Sequence, residues 1–420
     1  MSNGEGRLWW RMAWRNLWRN KRRTALTASA LSFGFVAAVL MIGLMGGIVE
    51  QMVVNGTEVA TGQVQIHQAG FFPERSIHET LGGRGGVDVA AVLTAVDSVD
   101  QVVGAAPRVY GGGLVSSGDE TVGAILMGID AAREARVSQF GSSLIEGQLP
   151  SGGGVLIGVD MASDLGVGTG DEIVLVAPAA DGSLGNDLFT VSGVFDLDSG
   201  AFDSRYALLD LVDLQNTMVL DEGRIHEIAI SVTRTRDADA VAGRVEGAVT
   251  NLAEGLQTES WSGFLPQLYF FTSMASAANF MVAVIIFGMA VFGVANTMLL
   301  ATYERKREFA VVRALGTDRR SVGRTVVYEG VLLGLISLVV GALLAGPLMV
   351  YLHANPIDLS RFVGSYSMVG AQVRPLLTVE YSWDGPLASG VALVLTGILS
   401  ALYPAWKAVR IPPADALANR

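Results

Sequence analysis

The stretch MASAANFMVAVIIFGMAVFGVANTMLLA, residues 274–301, carries no charged side chain from end to end. A helix needs about 20 apolar residues to cross the hydrocarbon core of a bilayer, and this stretch is longer than that. Residues 24–48, 326–352 and 387–403 are also long and almost uncharged. A single stretch of this kind can be a buried core helix, but four of them predict a membrane protein with four transmembrane helices.

The charges on either side of these stretches predict the orientation of the chain. Residues 1–23 and 303–324 are rich in arginine, and such loops stay in the cytoplasm. Residues 50–273 contain 31 Asp or Glu and 10 Arg, a net charge of -21, and no lysine. This long acidic segment is therefore expected on the opposite side of the membrane from the basic segments.

Composition and missing motifs exclude several classes of protein. A net charge of -11 disfavours nucleic-acid binding, and the absence of cysteine excludes disulfides and thiol catalysis. The sequence has no glycine-rich phosphate loop ending in Gly-Lys, and its two His-Glu pairs lack the second histidine of a zinc protease. We therefore expect no enzyme activity in this chain, and any ATP hydrolysis must come from a partner.

The acidic segment alternates strand-like and helix-like patterns, which predict a large α+β extracytoplasmic domain between the first two transmembrane helices. Its glycine-rich middle predicts an inserted β-rich part. The expected order along the chain is a cytoplasmic amphipathic helix (1–23), the first span (24–50), the external domain (51–270, with an α+β part at 51–130 and 223–262 and the insertion at 131–222), the second span (271–302), a cytoplasmic helix-containing loop (303–324), the third span (325–352), an external loop (353–385), the fourth span (386–404) and a cytoplasmic tail (405–420).

Two short segments are candidates for partner binding. The loop YERKREFAVVRALG, residues 303–316, predicts a short amphipathic helix, on which Phe309 and Val312 share one face and which Gly316 ends. Such a helix fits a groove on a partner, although a solvated loop is the alternative. Residues 178–187 are rich in turn residues and predict a protruding hairpin, which either binds a partner or is a mobile tip.

The loop at residues 303–316 resembles the coupling segment of the FtsX/MacB/LolC-LolE superfamily of ABC transporter permeases. The RNLWRNKRRT run at residues 15–24 and the YPAWKAVRIPPADAL run at residues 403–417 are also similar to signatures of that family. The resemblance implies a mechanotransmission-type permease of a bacterial inner membrane, with both termini cytoplasmic and the large domain periplasmic. Size and segment order are most like the LolC/LolE lipoprotein-releasing permeases.

The resemblance also implies partners and site residues. Two permeases, as a second copy or a paralogue, would bind a cytoplasmic ATPase dimer, which binds ATP and Mg²⁺ while this chain binds no cofactor directly. A periplasmic carrier is a further possible partner. The residues expected to couple to the ATPase are Glu304, Arg307, Glu308, Phe309, Val312, Arg313 and Gly316; those expected in the carrier-binding hairpin are Pro178, Asp181, Gly182 and Leu184.

The expected function is extraction of a lipoprotein or lipid from the inner membrane. Alternatives within the family are MacB-like export of peptides or small molecules, and FtsX-like regulation of a cell-wall hydrolase without transport. Acyl chains would need an apolar cavity, for which the candidate lining residues are Met41, Leu44, Met45, Ile48, Met52, Phe270, Phe271, Met274 and Phe280. The alternative is that these residues face lipid or pack between helices.

Overall fold

A computed structural model describes residues 3–84, 86–253, 255–358, 366–368, 371–373, 376–380 and 382–412. The chain forms two compact units. The first, which we call the helical unit, comprises Met1–Val49, Ser273–Arg361 and Leu376–Arg420. The second, which we call the sheet domain, comprises Glu50–Thr272 and Phe362–Pro375.

The elements are given in chain order. The first are α1 (Asn3–Arg19), α2 (Lys21–Glu58), β1 (Val64–Gln68), β2 (Leu81–Gly82), α3 (Val89–Asp97), β3 (Val102–Ser117), β4 (Glu120–Ile129), α4 (Ala131–Glu134), β5 (Leu144–Gly147), β6 (Gly154–Gly158), α5 (Val159–Leu165), β7 (Glu172–Pro178) and β8 (Leu184–Phe195). There follow α6 (Gly200–Asp203), β9 (Tyr206–Asp210), α7 (Leu211–Thr217), β10 (Arg224–Ile225), β11 (Glu227–Val232), α8 (Ala238–Val249), β12 (Leu256–Ser260) and α9 (Trp261–Phe264). The last are α10 (Pro266–Glu304), α11 (Lys306–Ala314), α12 (Arg319–Ala354), β13 (Ile357–Asp358), β14 (Tyr366–Met368), β15 (Ala371–Val373), β16 (Leu376–Leu377) and α13 (Asp384–Val409).

Within the described part of the chain, four helices are long and apolar enough to cross a membrane, namely α2, α10, α12 and α13. They coincide with the four apolar stretches of the sequence, so the chain has the predicted membrane architecture. All four extend beyond those stretches, because a helix satisfies its own backbone hydrogen bonds and does not have to end where the apolar residues end. The last predicted segment, 405–420, begins inside α13, and its residues 413–420 lie outside the described part, as does much of the predicted external loop.

Helices α12 and α13 pack closely through glycine. A Cβ atom on Gly330 would meet the carbonyl oxygen of Gly397, and one on Gly397 would meet the carbonyl oxygen of Gly330. Small residues allow the backbones of membrane helices to approach in this way, which maximises van der Waals contact. This pair of helices is therefore fixed by backbone contact.

Replacement of Gly330 by valine should separate α12 from α13. Overpacking of this kind costs about 1–3 kcal/mol, so the purified chain should melt at a lower temperature. Gly346 is the matched control, because it lies in the same helix and a Cβ atom there has nothing within 4 Å. Equal melting temperatures for the Gly330→Val and Gly346→Val variants would show that this contact is absent in the protein.

The sheet domain is built on a ten-stranded sheet whose main path runs β12-β1-β11-β3-β4-β9-β6-β8-β5, with β7 paired to β3 and β8. Pairing is antiparallel except between β4 and β9 and between β6 and β8. Helices α3 and α8 contribute Val92, Val96, Val241 and Val245 to the core beside strands β1 and β11. The predicted α+β part and the predicted insertion are joined in one sheet, because the long hairpin β3–β4 pairs with β7 and β9 of the inserted segment.

A cluster of charged side chains lies inside the sheet domain. Arg108 on β3 is fully buried, and its guanidinium donates to the carboxylate of Glu134 at 2.6 and 3.1 Å and to that of Glu227 at 3.3 Å. The hydroxyl of Tyr110 donates to Glu227 at 2.9 Å. The backbone N–H of Tyr110 donates to Nδ1 of His226, and burial lowers the pKa of that imidazole. These contacts join β3, β11 and α4 in the interior.

Candidate functional site

The candidate coupling segment comprises α11 and the turn that connects it to α12, residues 306–318. Gly316 has a φ of +98°, a conformation that glycine adopts without strain, and it follows the last turn of α11. Asp318 occupies the N-cap position of α12, although its side chain makes no capping hydrogen bond. The sequence pattern thus corresponds to a short helix between two membrane helices.

The buried face of α11 is formed by Phe309 and Ala310. Phe309 belongs to a cluster with Val322 and Val326 of α12 and with residues at the end of α13, and the Arg305 guanidinium lies 4.9 Å from the centre of its ring. Its side chain is only 6% exposed. The resemblance placed Phe309 at a partner interface, but in the structure it fixes α11 to the helical unit, because an amphipathic helix can bury its apolar face against its own chain.

The acidic residues of the segment are paired with arginines near the N-terminus. Glu304 accepts from Arg23 at 2.7 Å, and Glu308 contacts Arg19 at 2.7 Å. The hydrogen bond from Arg19 lowers the pKa of Glu308. All four side chains are at least a quarter exposed, and exposed pairs contribute about 0–1 kcal/mol each. Glu304 and Glu308 therefore position the segment weakly, and a partner can replace these contacts.

A more buried contact lies behind these ion pairs. Glu329 of α12 accepts from Arg305 at 2.8 Å and from the side-chain amide of Asn16 at 2.7 Å. Glu329 is 8% exposed, so a charge there needs both of these donors. This carboxylate is thus a junction between α1, α12 and the start of α11.

The remaining predicted coupling residues differ in their exposure. Arg307 is exposed, whereas Val312 and Arg313 are half-buried, and Arg313 donates to the carbonyl oxygen of Ile411. Two exposed apolar residues were missed: Val311 is 43% exposed and Leu315 is 83% exposed. Their spacing of four residues places them on one helix face, which was the available signal. The surface open to a partner is therefore formed by Arg307, Val311, Leu315 and Gly316.

The predicted hairpin connects β7 to β8, and Pro178 pairs with Leu184 at its base. The backbone N–H of Ala179 donates to the carbonyl oxygen of Ser183 at 2.9 Å, and the carboxylate of Asp181 accepts from Ser183 at 2.9 Å. Hydrogen bonds from Ser183 lower the pKa of Asp181. Gly182 has a φ of +84°, and Leu184 is 73% exposed. The hairpin is thus a hydrogen-bonded turn with an apolar side chain on its surface.

The residues proposed for an acyl cavity are divided between the two units. On α2, Met41, Leu44, Met45 and Ile48 are half-buried in the helical unit, and Leu44 packs against its core. On α10, Met274 and Phe280 are exposed. In the sheet domain Met52 is fully buried, Phe271 is half-buried and Phe270 is 67% exposed. Met52 is thus a core residue, while Met274, Phe270 and Phe280 offer apolar surface.

Two family models match successive parts of the chain. The model described as "MacB-like periplasmic core domain" matches residues 24–248, which is more than half of the chain. The model described as "FtsX-like permease C-terminal" matches residues 280–413, which include α11, α12 and α13. The candidate coupling segment therefore lies inside the permease part.

The chain is also similar to named relatives. It is 24% identical to the lipoprotein-releasing system transmembrane protein LolC of Xylella fastidiosa, over 91% of this chain and 94% of the relative. It is 23% identical to LolE of Haemophilus influenzae, over 76% of this chain and 78% of the relative. Among solved structures, the periplasmic region of MacB from Actinobacillus actinomycetemcomitans is 12% identical, with a TM-score of 0.34, and covers 51% of this chain and 95% of that one.

Membrane architecture, domain matches and relatives agree on one assignment. Along the chain an α/β domain lies between the first and the second of four membrane helices, and the matched models cover this domain and the permease part that follows it. The protein is an inner-membrane protein with a periplasmic domain, and a permease of this kind works with a cytoplasmic ATPase. The chain belongs to the MacB-like periplasmic core domain family and is an ABC transporter permease of the FtsX/MacB/LolC-LolE superfamily.

Proposed function

We propose that this permease couples ATP hydrolysis by a separate ATPase to the release of a lipoprotein or lipid from the inner membrane. The observation that carries the proposal is the similarity to LolC over 403 residues, which includes both the helical unit and the sheet domain. A relative that shared only the permease part would give no reason to prefer this cargo. Both termini lie in the cytoplasm in this proposal, which follows from their basic flanks.

In this proposal, the ATPase docks on Arg307, Val311, Leu315 and Gly316. The exposed Leu315 enters an apolar pocket of the ATPase, while Phe309 transmits the movement to α12 and α13, against which it is packed. ATP and Mg²⁺ are bound by an ATPase dimer, and this chain supplies no ligand to either. A dimeric ATPase requires two docking segments, which are supplied by two copies of this permease or by this chain and a paralogue.

The periplasmic part of the proposal concerns the hairpin and the membrane helices. The exposed Leu184 beside the ordered turn at Asp181 and Gly182 is the surface offered to a periplasmic carrier. The apolar residues of α10, among them Met274 and Phe280, contact acyl chains or the second permease. The half-buried Met41 and Met45 on α2 supply adaptable apolar surface.

Reconstitution tests the proposed function. The permease is placed in proteoliposomes with its ATPase, its second permease and a triacylated lipoprotein, and the amount of lipoprotein that a soluble carrier collects is measured with and without ATP. We expect ATP-dependent release of the triacylated protein and none of the same protein in a form anchored by a transmembrane helix. ATP hydrolysis without any release of lipoprotein or lipid would contradict the proposal.

A further inference from the structure

The sheet domain contains a cavity of about 550 Å³ that the proposed function does not use. Its volume falls in the range of about 300–1,000 Å³ that small-molecule sites occupy. Gly56 in the last turn of α2 and Pro266 in the first turn of α10 both line it. The cavity is thus bounded by the ends of two membrane helices as well as by the sheet domain's own loops.

Aromatic side chains form much of its wall. Phe72, Phe202, Tyr206 and Phe264 all line the cavity. The rings of Phe202 and Tyr206 lie 5.0 Å apart, and those of Phe72 and Phe264 are stacked at 6.3 Å. Such walls provide a large contact area for an apolar chain at a small entropic cost, because aromatic side chains have few rotatable bonds.

Two hydrogen-bond donors line the cavity, the guanidinium of the exposed Arg75 and the hydroxyl of the half-buried Tyr206. The Arg75 guanidinium lies 4.8 Å from the centre of the Phe72 ring. Among the residues that the structure describes, neither this guanidinium nor the Tyr206 hydroxyl has an ion-pair or hydrogen-bond partner. Burial raises the pKa of Tyr206, and the Arg75 cation opposes that rise. An oxyanion would accept from both of them.

Among the described residues that line the cavity, Glu259 is the one carboxylate, and both of its oxygens face other side chains. Its Oε1 accepts from the side-chain amide of Gln257 at 2.5 Å, and its Oε2 lies 3.7 Å from Nε2 of the buried His67. The carboxylate keeps its negative charge, but its two oxygens already face these groups, so the side chains left to contact a ligand's head are Arg75 and Tyr206. At its end of the cavity the Arg75 cation favours an anionic head.

We propose that the cavity binds an amphiphile with one apolar chain and an anionic head, a carboxylate or a phosphate. The head accepts hydrogen bonds from Arg75 and Tyr206, and the chain lies against Phe72, Phe202 and Phe264. The volume of about 550 Å³ limits the ligand to one chain, so the ligand class comprises fatty acids and single-chain phospholipids. This site goes beyond the proposed transport function and does not depend on it.

Photocrosslinking to the full chain in nanodiscs of zwitterionic lipid tests the proposal. The probe is palmitic acid with a diazirine in mid-chain, and the labelled peptides are identified by mass spectrometry. Matched probes carry the same chain on a glycerol, a trimethylammonium or a lysophosphatidate head. We expect both anionic probes to label the peptides around residues 72–75 and 202–206 at least about fivefold more than the neutral and cationic probes. Equal labelling by all four probes would overturn the proposal.

Single substitutions test which residues contact the head of the ligand and which contact its apolar chain. Arg75→Gln should lower labelling by the anionic probes about tenfold, and Arg75→Lys should retain most of it. Tyr206→Phe removes only a hydroxyl and should lower labelling by the anionic probes less than Arg75→Gln does. Phe202→Ala should lower labelling by every probe. Arg84→Gln is the matched control, because Arg84 is exposed and lies outside the cavity. An Arg75→Gln variant that labels like Arg84→Gln, with melting temperatures unchanged, would overturn the assignment of the head.

The source of the anion is tested by competition. Inorganic phosphate at millimolar concentration should leave the labelling unchanged, because it has no chain to contact the aromatic wall. If inorganic phosphate displaced the anionic probes, the site would bind a small anion, and the proposal of an amphiphilic ligand would be overturned. Preference for the lysophosphatidate probe over the fatty-acid probe would support a membrane phospholipid as the source, and the reverse preference would support a free fatty acid.

Discussion

Replacement of Leu315 by aspartate is expected to uncouple the permease from its ATPase. Leu315 is 83% exposed beside the exposed Val311, and nothing in the described part of the chain covers it. A central apolar contact of a protein interface contributes about 2 kcal/mol or more, which corresponds to about a 30-fold loss of affinity. Aspartate adds the cost of burying a charge, so the ATPase should no longer copurify with the permease, and permease-stimulated ATP hydrolysis should be lost.

The control for this variant is Ile145→Asp, which makes the same change at an exposed apolar residue of β5 in the sheet domain. It should copurify with the ATPase like the native chain. A third variant, Phe309→Ala, separates docking from transmission, because Phe309 is packed against α12 and not exposed. It should keep the ATPase bound but lower its stimulation. Normal copurification and stimulation with Leu315→Asp would exclude this surface as the docking site.

Replacement of Arg108 by methionine is expected to destabilise the sheet domain more than any other single change considered. The substitution leaves Glu134 and Glu227 buried without the cation that they share. Removal of one partner from a buried ion pair costs about 3–5 kcal/mol. In hydrogen exchange of the full chain, the amides of β3 and β11 should therefore exchange at least about 100-fold faster than in the native protein.

Arg133→Met provides the comparison for this measurement. Arg133 pairs with Asp97 at 3.1 Å, but both side chains are about one-third exposed, so its loss should cost about 1 kcal/mol or less. Exchange in β3 should then accelerate by less than about tenfold. Similar exchange rates in the two variants would mean that the buried cluster around Arg108 contributes no more to the stability of the sheet domain than a surface ion pair does.

The membrane helices and the coupling helix were predictable because their signals are local. An uncharged stretch such as residues 274–301 specifies a spanning helix by its own composition, and α11 follows from the spacing of Phe309 and Val312 with Gly316 after them. The hairpin at residues 178–184 follows in the same way from its turn residues. These features needed no knowledge of distant parts of the chain.

The contacts that give the segment its geometry were not predictable from one sequence. Glu304 pairs with Arg23 across 281 residues, and Asn16 donates to Glu329 across 313 residues, so no spacing rule connects them. For the same reason the apolar face that carries Phe309 does not specify, from sequence alone, what covers it. The cavity in the sheet domain likewise depends on Phe72 and Phe202, which only the folded domain brings together.

The central claim is that the coupling segment and the sheet domain lie on opposite sides of the inner membrane. The native chain has no cysteine, so a single cysteine at Arg307 or at Leu184 reports its own location. With a membrane-impermeant maleimide on intact spheroplasts, the account predicts labelling of Leu184→Cys at once and of Arg307→Cys only after permeabilisation. Labelling of both positions before permeabilisation, or of neither, would place them on the same side and contradict it.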